Sequence, residues 1–332
     1  MKAFSVIVPV YNRVDEIREL LDSLAAQTCR NFEVIIVEDG STEPCREVVE
    51  EFIPRLDVKY YFKANEGRSI ARNYGMEHSS GHMLVFFDSD CVIPPRYFET
   101  LSEISAKEPI DFFGGPDAAH ESFTDTQKAI NFAMTSFITT GGIRGGKVKL
   151  DKFVPRTFNM GFTREVYGKV GGFREMFSED IDMSTRITQA GYRAHLIREC
   201  PVYHKRRVNL RKFWRQVHVF GMSRITLKLL YPGSLKAVHT LPTVAVVTGV
   251  ALVLAAIFAS PWYLLPLGVY LLMLFLAALA STRSVKIAAI AVPAGIIQIC
   301  GYGTGFIKAW FTKILLGRGR DLNEEIALRK GK

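Results

Sequence analysis

Short apolar runs alternate with segments of helical periodicity in the first part of the chain. Residues 4–10 have the pattern of a buried strand, and apolar residues recur at helical spacing after them. Further apolar runs cover residues 34–37, 58–62 and 83–87, with a helical segment before each, the last at about 69–78. This β-α-β-α-β-α-β order predicts an α/β fold with a mostly parallel sheet covered by helices.

Polar residues follow each of these four runs. They are Tyr11-Asn12, then Glu38-Asp39-Gly40-Ser41, then Asn65-Glu66-Gly67, and finally Asp88-Ser89-Asp90. Parallel sheets bind ligands at the carboxyl ends of their strands. We therefore expect these four groups to meet in one crevice.

The pattern changes completely after residue 236. Residues 237–282 form a run of 46 residues without Lys, Arg, Asp or Glu, and residues 287–307 form another uncharged run. About 20 apolar residues suffice to cross a bilayer, so the first run predicts spans at about 241–259 and 262–280, joined at Ser260-Pro261. The third run contains Pro293 and four glycines, two of which (Gly301 and Gly305) form a GxxxG pair that can bring helices close. It either spans, or it bends, re-enters or lies shallow.

Charge is distributed unevenly along the chain. The net charge is +9, but residues 1–192 carry −7, residues 193–236 carry +10 and residues 237–332 carry +6. An acidic first part argues against a general nucleic-acid-binding surface. The +10 segment directly before the first span predicts that this side of the membrane is cytoplasmic.

Two groups at the strand ends suggest specific chemistry. The carboxylates of Asp88-Ser89-Asp90 can hold a hard divalent cation such as Mg²⁺ or Mn²⁺, which bridges phosphate oxygens readily. The acid and glycine of Glu38-Asp39-Gly40 can accept hydrogen bonds from a nucleoside. Both motifs are also common in ordinary turns.

Taken together, six segments resemble family 2 glycosyltransferases of the GT-A fold. They occur in the order of that family and extend over about residues 3–220. They are SVIVPVYNR (5–13), EVIIVEDGST (33–42), NEGRSIARN (65–73), DSD (88–90), NMGFTREVYGKVGGF (159–173) and EDID (179–182).

The resemblance implies a role for each matching position. Asp180 matches the catalytic base, and Asp90 matches the direct ligand of an Mn²⁺ or Mg²⁺ cofactor. Asp88 matches a residue near both the ribose and the metal, and His204 matches a histidine that faces the metal or diphosphate. The nucleotide-binding positions are Pro9, Tyr11, Glu38, Asp39, Asn65, Gly67 and Arg72.

Several of these assignments have a plainer alternative. His204 precedes Lys205-Arg206-Arg207, so it can equally belong to a basic loop that faces the membrane. Asp182 near the start of a predicted helix favours a structural role. Residues 144–152 form either a flexible loop over the acceptor site or a solvated connection. Residues 210–230 form either one or two basic amphipathic helices at the membrane surface or a helix that closes the domain.

The sequence thus predicts a catalytic domain at 1–209, interfacial helices at 210–236, a membrane region at 237–311 and a basic tail at 312–332. The expected activity is metal-dependent, inverting transfer from a nucleotide-sugar, with a UDP-sugar as the default donor. The expected acceptor is lipid-linked or a glycan at the cytoplasmic membrane face, in the synthesis of cell-surface polysaccharide or glycoconjugate. Alternatives are a processive polysaccharide synthase, a polyprenyl-phosphate glycosyltransferase and a catalytically silent scaffold. The small number of spans and the mismatch of the segment around Trp214 to the synthase motif Gln-x-x-Arg-Trp argue against the synthase.

Overall fold

The computed structural model describes residues 2–118, 123–140, 153–205 and 209–317. It contains two compact units. Met1–His120 and Phe153–Lys205 form the first, which we call the sheet unit, and Glu121–Lys152 and Arg206–Lys332 form the second, the helical unit. The basic segment 144–152 and most of the tail at 312–332 lie outside the described residues.

The sheet unit contains ten strands and six helices among its described residues. The strands are β1 (Phe4–Val10), β2 (Phe32–Asp39), β3 (Val58–Lys63), β4 (Met83–Phe86), β5 (Cys91–Val92), β6 (Phe112–Gly114), β7 (Asp117–Ala118), β8 (Met160–Thr163), β9 (His195–Leu196) and β10 (Val202–His204). The helices are α1 (Val14–Ala25), α2 (Arg46–Phe52), α3 (Arg68–Glu77), α4 (Tyr97–Lys107), α7 (Arg164–Val170) and α8 (Glu179–Gln189).

Seven strands form the main sheet, in the order β3-β2-β1-β4-β8-β6-β9. β1 pairs in parallel with both β2 and β4, and β3 pairs in parallel with β2, which confirms the four predicted strands and their direction. β8 lies antiparallel between β4 and β6. Alternate residues of β1 enter different hydrophobic clusters, Val6 and Val8 in one and Ile7 in the other. Both faces of the sheet are therefore covered, as expected for near-continuous apolar strands.

A second, three-stranded sheet in the order β5-β10-β7 positions the site. β10 pairs antiparallel with β5, which sets His204 opposite Cys91. On its other side β10 pairs in parallel with β7, with Val202 opposite Asp117. This register places the histidine next to the Asp88–Asp90 segment, although more than 100 residues separate them in sequence.

The helical unit comprises α5 (Asp125–Thr135), α6 (Phe137–Thr140), α9 (Leu210–Leu230), α10 (Leu241–Phe258), α11 (Leu265–Thr282) and α12 (Val285–Ala309) among its described residues. Short 3-10 turns precede α10 and α11, and a π-helical turn, Trp310–Leu315, follows α12. Three helical segments are long and apolar enough to cross a membrane, at Leu241–Phe258, Pro261–Thr282 and Val285–Leu315. The third apolar run forms one continuous helix through Pro293.

Small residues allow the helices of this unit to approach closely. A Cβ added at Gly305 would lie 2.0 Å from the carbonyl oxygen of His218, and one at Gly221 would lie 2.0 Å from that of Tyr302. At Gly301 it would lie 2.5 Å from Val217 Cγ2. The GxxxG pair thus brings α9 and α12 together, as its spacing predicts. Residues 210–230 form a single helix, α9, that packs on α12 within the helical unit.

The structure also divides the chain differently from the continuous domain at 1–209. Residues 121–152 leave the sheet unit after β7 and belong to the helical unit. The reason is the apolar face of α5, where Ala129 and Phe132 pack with Leu274 and Ala288. Ile130 and other buried residues of α5 pack with Phe213 and Ala294. An amphipathic helix buries its apolar face against an apolar surface of another element, and here the other helices of the helical unit provide that surface.

Candidate active site

Two carboxylates and an imidazole converge at the ends of β4 and β10. His204 Nε2 lies 3.2 Å from Asp90 Oδ1 and 3.9 Å from Asp88 Oδ2. On the other side of the ring, Nδ1 lies 3.8 Å from Asp117 Oδ2. Phe158 stacks on the imidazole, with ring centroids 4.9 Å apart. The histidine is therefore fixed in orientation, with one nitrogen directed at the paired aspartates.

These donors fit a divalent cation of the Mg²⁺ or Mn²⁺ type. Two ligands at right angles around a cation about 2.1 Å from each lie about 3 Å apart, and opposite ligands lie about 4 Å apart. The 3.2 and 3.9 Å separations to His204 fall near these two values. Asp90, Asp88 and His204 would hold the ion. Of the two alternatives for His204, the structure supports the one that faces the aspartates.

Cys91 belongs to the same cluster of ligand-type atoms as Asp90 and His204. Burial raises the pKa of the Cys91 thiol well above its usual value, and the charges of Asp90 and Asp88 raise it further. Because a hard cation favours oxygen and imidazole donors over sulfur, we expect Asp90 and His204, and not the Cys91 thiol, to hold the ion.

The charge on His204 reflects the same carboxylates. Burial by itself lowers the pKa of His204, but Asp90 and Asp117 raise it to about 10. An imidazolium therefore balances the carboxylates in the metal-free chain. A bound dication would take over that role and leave the neutral ring as a ligand.

A buried network of ion pairs connects this centre to α8. Arg72, which is 1% exposed, donates from Nη2 to Asp88 Oδ1 at 2.7 Å and from Nη1 to Glu179 Oε1 at 2.9 Å. Arg68 also pairs with Glu179, at 2.7 Å from Nε to Oε1. Both arginines lie on α3, four residues apart, so they share one face of that helix. α3 thereby couples the Asp88–Asp90 loop to the segment that carries Asp180.

Asp39 fixes the start of α3. Its Oδ1 accepts the backbone N–H of Glu66 at 3.0 Å, and its Oδ2 accepts that of Gly67 at 2.9 Å. Lys63 Nζ donates to Oδ1 at 3.0 Å. A carboxylate accepts about four hydrogen bonds, so one acceptor position remains for a single N–H of a ligand. Gly67 has φ +99°, a conformation that favours glycine, which explains the residue type at this junction.

Glu38 bonds the turn that follows β2. Its side chain is fully buried, accepts the backbone N–H of Cys45 at 2.8 Å and the Tyr60 hydroxyl at 3.3 Å, and also bonds the Ser41 hydroxyl. These contacts hold the turn after β2 in place. The structure therefore does not support the nucleotide contact suggested for Glu38 by its position beside Asp39.

The other nucleotide-binding candidates are more open. Tyr11 is 50% exposed at the end of β1, Pro9 is half-buried and Asn65 is exposed. Asn12 adopts φ +52° and accepts the backbone N–H of Thr42 at 2.9 Å. This bond joins the loops after β1 and β2, so Tyr11 and Asp39 belong to one connected edge of the sheet.

Asp180 lies in the first turn of α8, next to Glu179. Its Oδ1 accepts the backbone N–H of Ile181 at 2.8 Å, and its Oδ2 accepts Nη1 of Arg156 at 3.3 Å. The side chain is 19% exposed, whereas that of Glu179 is 2% exposed. Asp182 is fully buried between Arg174 and Arg186, which agrees with a structural role. Asp180 is thus the most accessible of the three acids in this turn.

Sequence reasoning missed Glu179, Asp117 and Arg156. Glu179 carried a signal in the sequence, because it stands with Asp180 and Asp182 in the first turn of one helix. An acid that is buried in such a turn needs cationic partners. Asp117 and Arg156 lie in segments without a recognised motif. Only the pairing of β7 with β10 and the isolated bridge of Arg156 to Asn159 reveal them.

Comparison with known proteins agrees with this architecture. Residues 5–171 match the model of the family described as glycosyl transferase family 2. The glycosyltransferase AglE of Haloferax volcanii is 27% identical over 251 residues, which cover 68% of this chain and 77% of AglE. The glycosyltransferase GlyA of Streptococcus pneumoniae is 43% identical over 99 residues, but these cover only 29% of this chain and 14% of GlyA. The chain thus spans a small part of some of its relatives.

A solved structure shows the same fold. The mannosyltransferase PcManGT from Pyrobaculum calidifontis, in complex with GDP-Man and Mn²⁺, superposes with a TM-score of 0.57 at 20% sequence identity. The match covers 94% of this chain and 88% of that one. The sheet unit therefore has the GT-A fold, as its motifs predict. With half of its length matched by the family model, this chain belongs to glycosyl transferase family 2.

Proposed function

We propose that this chain is a metal-dependent, inverting glycosyltransferase. It moves a sugar from a nucleotide-sugar to an acceptor hydroxyl. The observation that carries the proposal is the buried Arg72, which bonds Asp88 of the cation site and Glu179 beside Asp180. The Arg72 side chain thereby holds Asp88, on the donor side, at a fixed distance from the helical turn that carries the candidate base Asp180. Transfer between two bound substrates requires such an arrangement.

The donor side binds the diphosphate. Asp88, Asp90 and His204 hold a divalent cation, which when bound stabilises negative charge on the departing diphosphate. Arg68 is 55% exposed at the start of α3, so its guanidinium also has a face available to phosphate oxygens. The structural neighbour PcManGT is in complex with GDP-Man and Mn²⁺, which supports the same class of donor and metal here.

The acceptor side supplies the base. As the acceptor oxygen bonds to the anomeric carbon, the bond from that carbon to the diphosphate breaks and Asp180 takes the hydroxyl proton. The configuration inverts because attack and departure occur on opposite faces of the sugar. General-base assistance of this kind contributes about 10²- to 10⁴-fold.

Uracil is the proposed base of the donor. Asp39 keeps one acceptor position, which suits the single ring N–H of uracil or thymine. Competition among UDP, GDP and dTDP for the Mn²⁺-loaded chain tests this preference. Tighter binding of GDP than of UDP would refute it without affecting the transferase assignment.

The acceptor is proposed to be lipid-linked or a glycan at the cytoplasmic membrane face. Three helical segments are long and apolar enough to span, and the basic excess precedes the first of them. A polyprenyl-linked acceptor stays in the bilayer, so an anchored enzyme meets it on a surface rather than in bulk solution. Such transfer serves the synthesis of cell-surface polysaccharide or glycoconjugate.

The test is transfer and donor hydrolysis by the full chain in detergent, with Mn²⁺ and a panel of nucleotide-sugars. Extracted membrane lipids serve as acceptors, and mass spectrometry identifies the products. We expect Asp180→Asn to bind nucleotide normally and to lose about 10²- to 10⁴-fold in kcat. Asp57→Asn, which alters an exposed carboxylate paired with Lys2, should match the wild type. A wild-type chain that binds no nucleotide with Mn²⁺ would refute the proposal.

A further inference from the structure

An acid outside the paired aspartates faces the second nitrogen of His204. Nδ1 of the ring is 3.8 Å from Asp117 Oδ2, while Nε2 is 3.2 Å from Asp90 Oδ1. We infer that Asp117 is a positioning residue for the cation: its carboxylate accepts the Nδ1–H of His204 and thereby holds Nε2 in the ligand position. This role rests on the cation site of the proposed function, and it includes no contact between Asp117 and the ion.

A histidine that binds a cation through Nε2 carries its proton on Nδ1. Neutral imidazole has one donor and one acceptor nitrogen, and the acceptor nitrogen binds the metal. Nδ1 of His204 is buried and has no hydrogen bond within the part of the chain that the structure describes. A buried N–H without an acceptor is unfavourable. The cation-bound state therefore needs an acceptor at Nδ1.

Asp117 Oδ2 is in place to be that acceptor. The 3.8 Å separation exceeds an ordinary N–H···O hydrogen bond by about half an ångström, a distance that a small rotation of the side chain can close. Asp117 is 18% exposed and His204 is 17% exposed, so little solvent competes for either group. A carboxylate that accepts the second N–H of a metal-bound histidine fixes the ring and raises the basicity of the nitrogen that holds the metal.

Phe158 fixes the plane of the imidazole but not its orientation within that plane. The two rings are stacked, with centroids 4.9 Å apart and an interplanar angle of 15°. A half-turn about the Cβ–Cγ bond preserves this stacking, because the flipped imidazole fills nearly the same space. The flip would, however, put carbon atoms where the two nitrogens now face Asp90 and Asp117. An acceptor on the Nδ1 side selects the orientation in which Nε2 can bind the cation.

The backbone around Asp117 keeps the acid close to the histidine. β7, which carries Asp117, pairs in parallel with β10, which carries His204. The fully buried Asn159 donates from Nδ2 to the carbonyl oxygens of Cys200 at 2.8 Å and Pro116 at 3.4 Å. The side-chain amide of Asn159 thus links the residue before Asp117 to the segment that enters β10.

Two further contacts restrict how β10 can move. A Cβ added at Gly115 would lie 2.0 Å from the oxygen of Cys200, so only glycine fits between these segments. At the other end of β10, the backbone N–H of Lys205 donates to the carbonyl oxygen of Asp90 at 3.0 Å. The backbone on either side of His204 is therefore tied to both segments whose acids face its ring.

Asp117 is placed to orient the histidine rather than to hold the ion. In the described part of the chain, the ligand-type atoms that gather around one point belong to Asp90, Cys91 and His204. The carboxylate of Asp88 lies on the same side, 3.9 Å from Nε2. Asp117 faces the other nitrogen, so a cation among the paired aspartates leaves it free to accept the N–H.

Mn²⁺ binding by the full chain in detergent tests the role of Asp117. Loss of the electron paramagnetic resonance signal of free Mn²⁺ measures the affinity, with Mn²⁺ alone as the probe. We expect Asp117→Leu to bind Mn²⁺ about 10- to 100-fold more weakly than the wild type. Asp117→Asn keeps the size of the side chain and an acceptor oxygen without the charge, so its loss should be roughly threefold to tenfold. Asp111→Leu, a matched change of an exposed acid before β6, should bind Mn²⁺ like the wild type.

A spectroscopic signature separates positioning from a general loss of structure. Mn²⁺ bound to the wild type should show the ¹⁴N modulation of a ligating imidazole in electron spin-echo measurements. His204→Gln lacks the ring, and the loss of the modulation in this variant identifies its source. At saturating Mn²⁺, the modulation should be reduced severalfold in Asp117→Leu and retained in Asp117→Asn.

Three results would overturn this role for Asp117. Wild-type affinity in both Asp117 variants would do so and would leave the transferase assignment intact, because the wild type would still bind Mn²⁺. A loss in Asp117→Leu as large as that in Asp90→Ala, with the ¹⁴N modulation retained, would make Asp117 a direct ligand. A wild-type chain that binds no Mn²⁺ would refute the cation site and the role of Asp117 together. If circular dichroism shows that Asp117→Leu does not fold, the affinity of the isosteric Asp117→Asn decides, and a value equal to that of the wild type refutes the role.

Discussion

The two units are stabilised by opposite chemistry. The sheet unit buries acidic and basic side chains at less than 5% exposure, namely Glu33, Glu38, Asp39, Arg72, Glu179 and Asp182. In the described part of the helical unit, the buried polar residues are uncharged or histidine, namely Gln127, Thr139, Ser223, Thr226, His239 and Gln298. Buried ion pairs stabilise the sheet unit. Close backbone contact between helices at small residues stabilises the helical unit.

This difference follows from what each unit must hold. Burial of an ion costs several kcal/mol unless partners compensate, so buried ions occur where they position something. In the sheet unit, Asp39, Arg72 and Glu179 position the loops of the candidate active site. In the helical unit close backbone approach is the available source of affinity, because lipid is as apolar as the side chains. The two units should therefore respond to different substitutions.

The largest effect on activity is expected from Asp90, a charged residue that we assign to catalysis rather than to stability. Asp90→Ala removes a cation ligand, so we expect kcat/KM to fall roughly 10³- to 10⁴-fold, or about 4–5 kcal/mol of transition-state stabilisation. Mn²⁺ affinity, measured by calorimetry on the full chain, should fall as well. Thermal unfolding should change little, because Asp90 lies at the end of the strand and its side chain is 16% exposed.

Cys91→Ala is the matched control in the same loop. The buried thiol shares the cluster with Asp90 and His204, but sulfur is a poor donor for a hard cation. We therefore expect this variant to retain Mn²⁺ affinity and activity. If Cys91→Ala weakened Mn²⁺ as much as Asp90→Ala does, the thiol would be a ligand and the assignment of the donor set would be wrong.

The next largest effect is expected at the buried network. Arg72→Met leaves Asp88 without its 2.7 Å partner and Glu179 with Arg68 alone, so we expect a loss of about 3–5 kcal/mol in the free energy of unfolding of the sheet unit. Arg18→Gln removes an equally short pair with Glu51, at 2.6 Å, but both side chains are about half exposed. Such an exposed pair is screened by solvent and contributes little to stability. Hydrogen exchange of peptides from β1 and β4 measures the free energy of unfolding of both variants. If Arg72→Met and Arg18→Gln lost the same amount of stability, burial of the network would have no energetic importance.

The main features of the fold were predictable because they follow from continuous apolar runs. β1 and the strands that flank it were each marked by such a run, and their parallel pairing followed from the helical segments between them. The antiparallel β8 and the short β5, β7 and β9 were not predicted. Strands of two to four residues leave no periodicity to detect, and their pairing depends on residues far apart in sequence.

The candidate site was predictable at the strand ends and not elsewhere. Asp88, Asp90 and Asp39 follow apolar strands, so their convergence was expected, whereas the direction of Glu38 was not. Alternate residues of a strand point to opposite faces, and neither neighbour in Glu38-Asp39 carries a signal that tells which one faces the ligand. The assignment of residues 121–152 to the helical unit was also not predictable. The residues that pack on the apolar face of α5 lie some 150 residues further along the chain.

A third effect should appear in acid, from a buried carboxylate far from the site. Burial by itself raises the pKa of Glu33, but bonds from Lys59, Ser5 and Ser80 lower it from 4.5 to about 2. The folded state therefore gains stability above pH 4.5, and this gain is lost as the pH falls toward 2. The difference corresponds to about 3 kcal/mol.

Glu33→Gln should remove that pH dependence. Between pH 5 and pH 2.5 the wild type should lose most of this stability relative to the variant, measured by hydrogen exchange of β1 and β2 peptides. Glu51→Gln serves as control, because its exposed pair with Arg18 is screened by solvent. A Glu33→Gln chain with the same acid sensitivity as the wild type would show that the Ser5–Lys59–Ser80 cluster does not stabilise the ionised form.

The smallest effect is expected in the helical unit, and it requires no change of charge. Gly305→Ala would place a methyl group 2.0 Å from the oxygen of His218, so α9 and α12 must separate, at a cost of about 1–3 kcal/mol. Gly249→Ala is matched in helical setting but has open space around it, so it should be neutral or slightly stabilising. The three tryptophans, Trp214, Trp262 and Trp310, all lie in this unit, so thermal unfolding in detergent followed by their fluorescence reports on it selectively. If Gly305→Ala unfolded at the same temperature as Gly249→Ala, close backbone contact would not be what holds these helices together, and the contrast with the charge-stabilised sheet unit would fail.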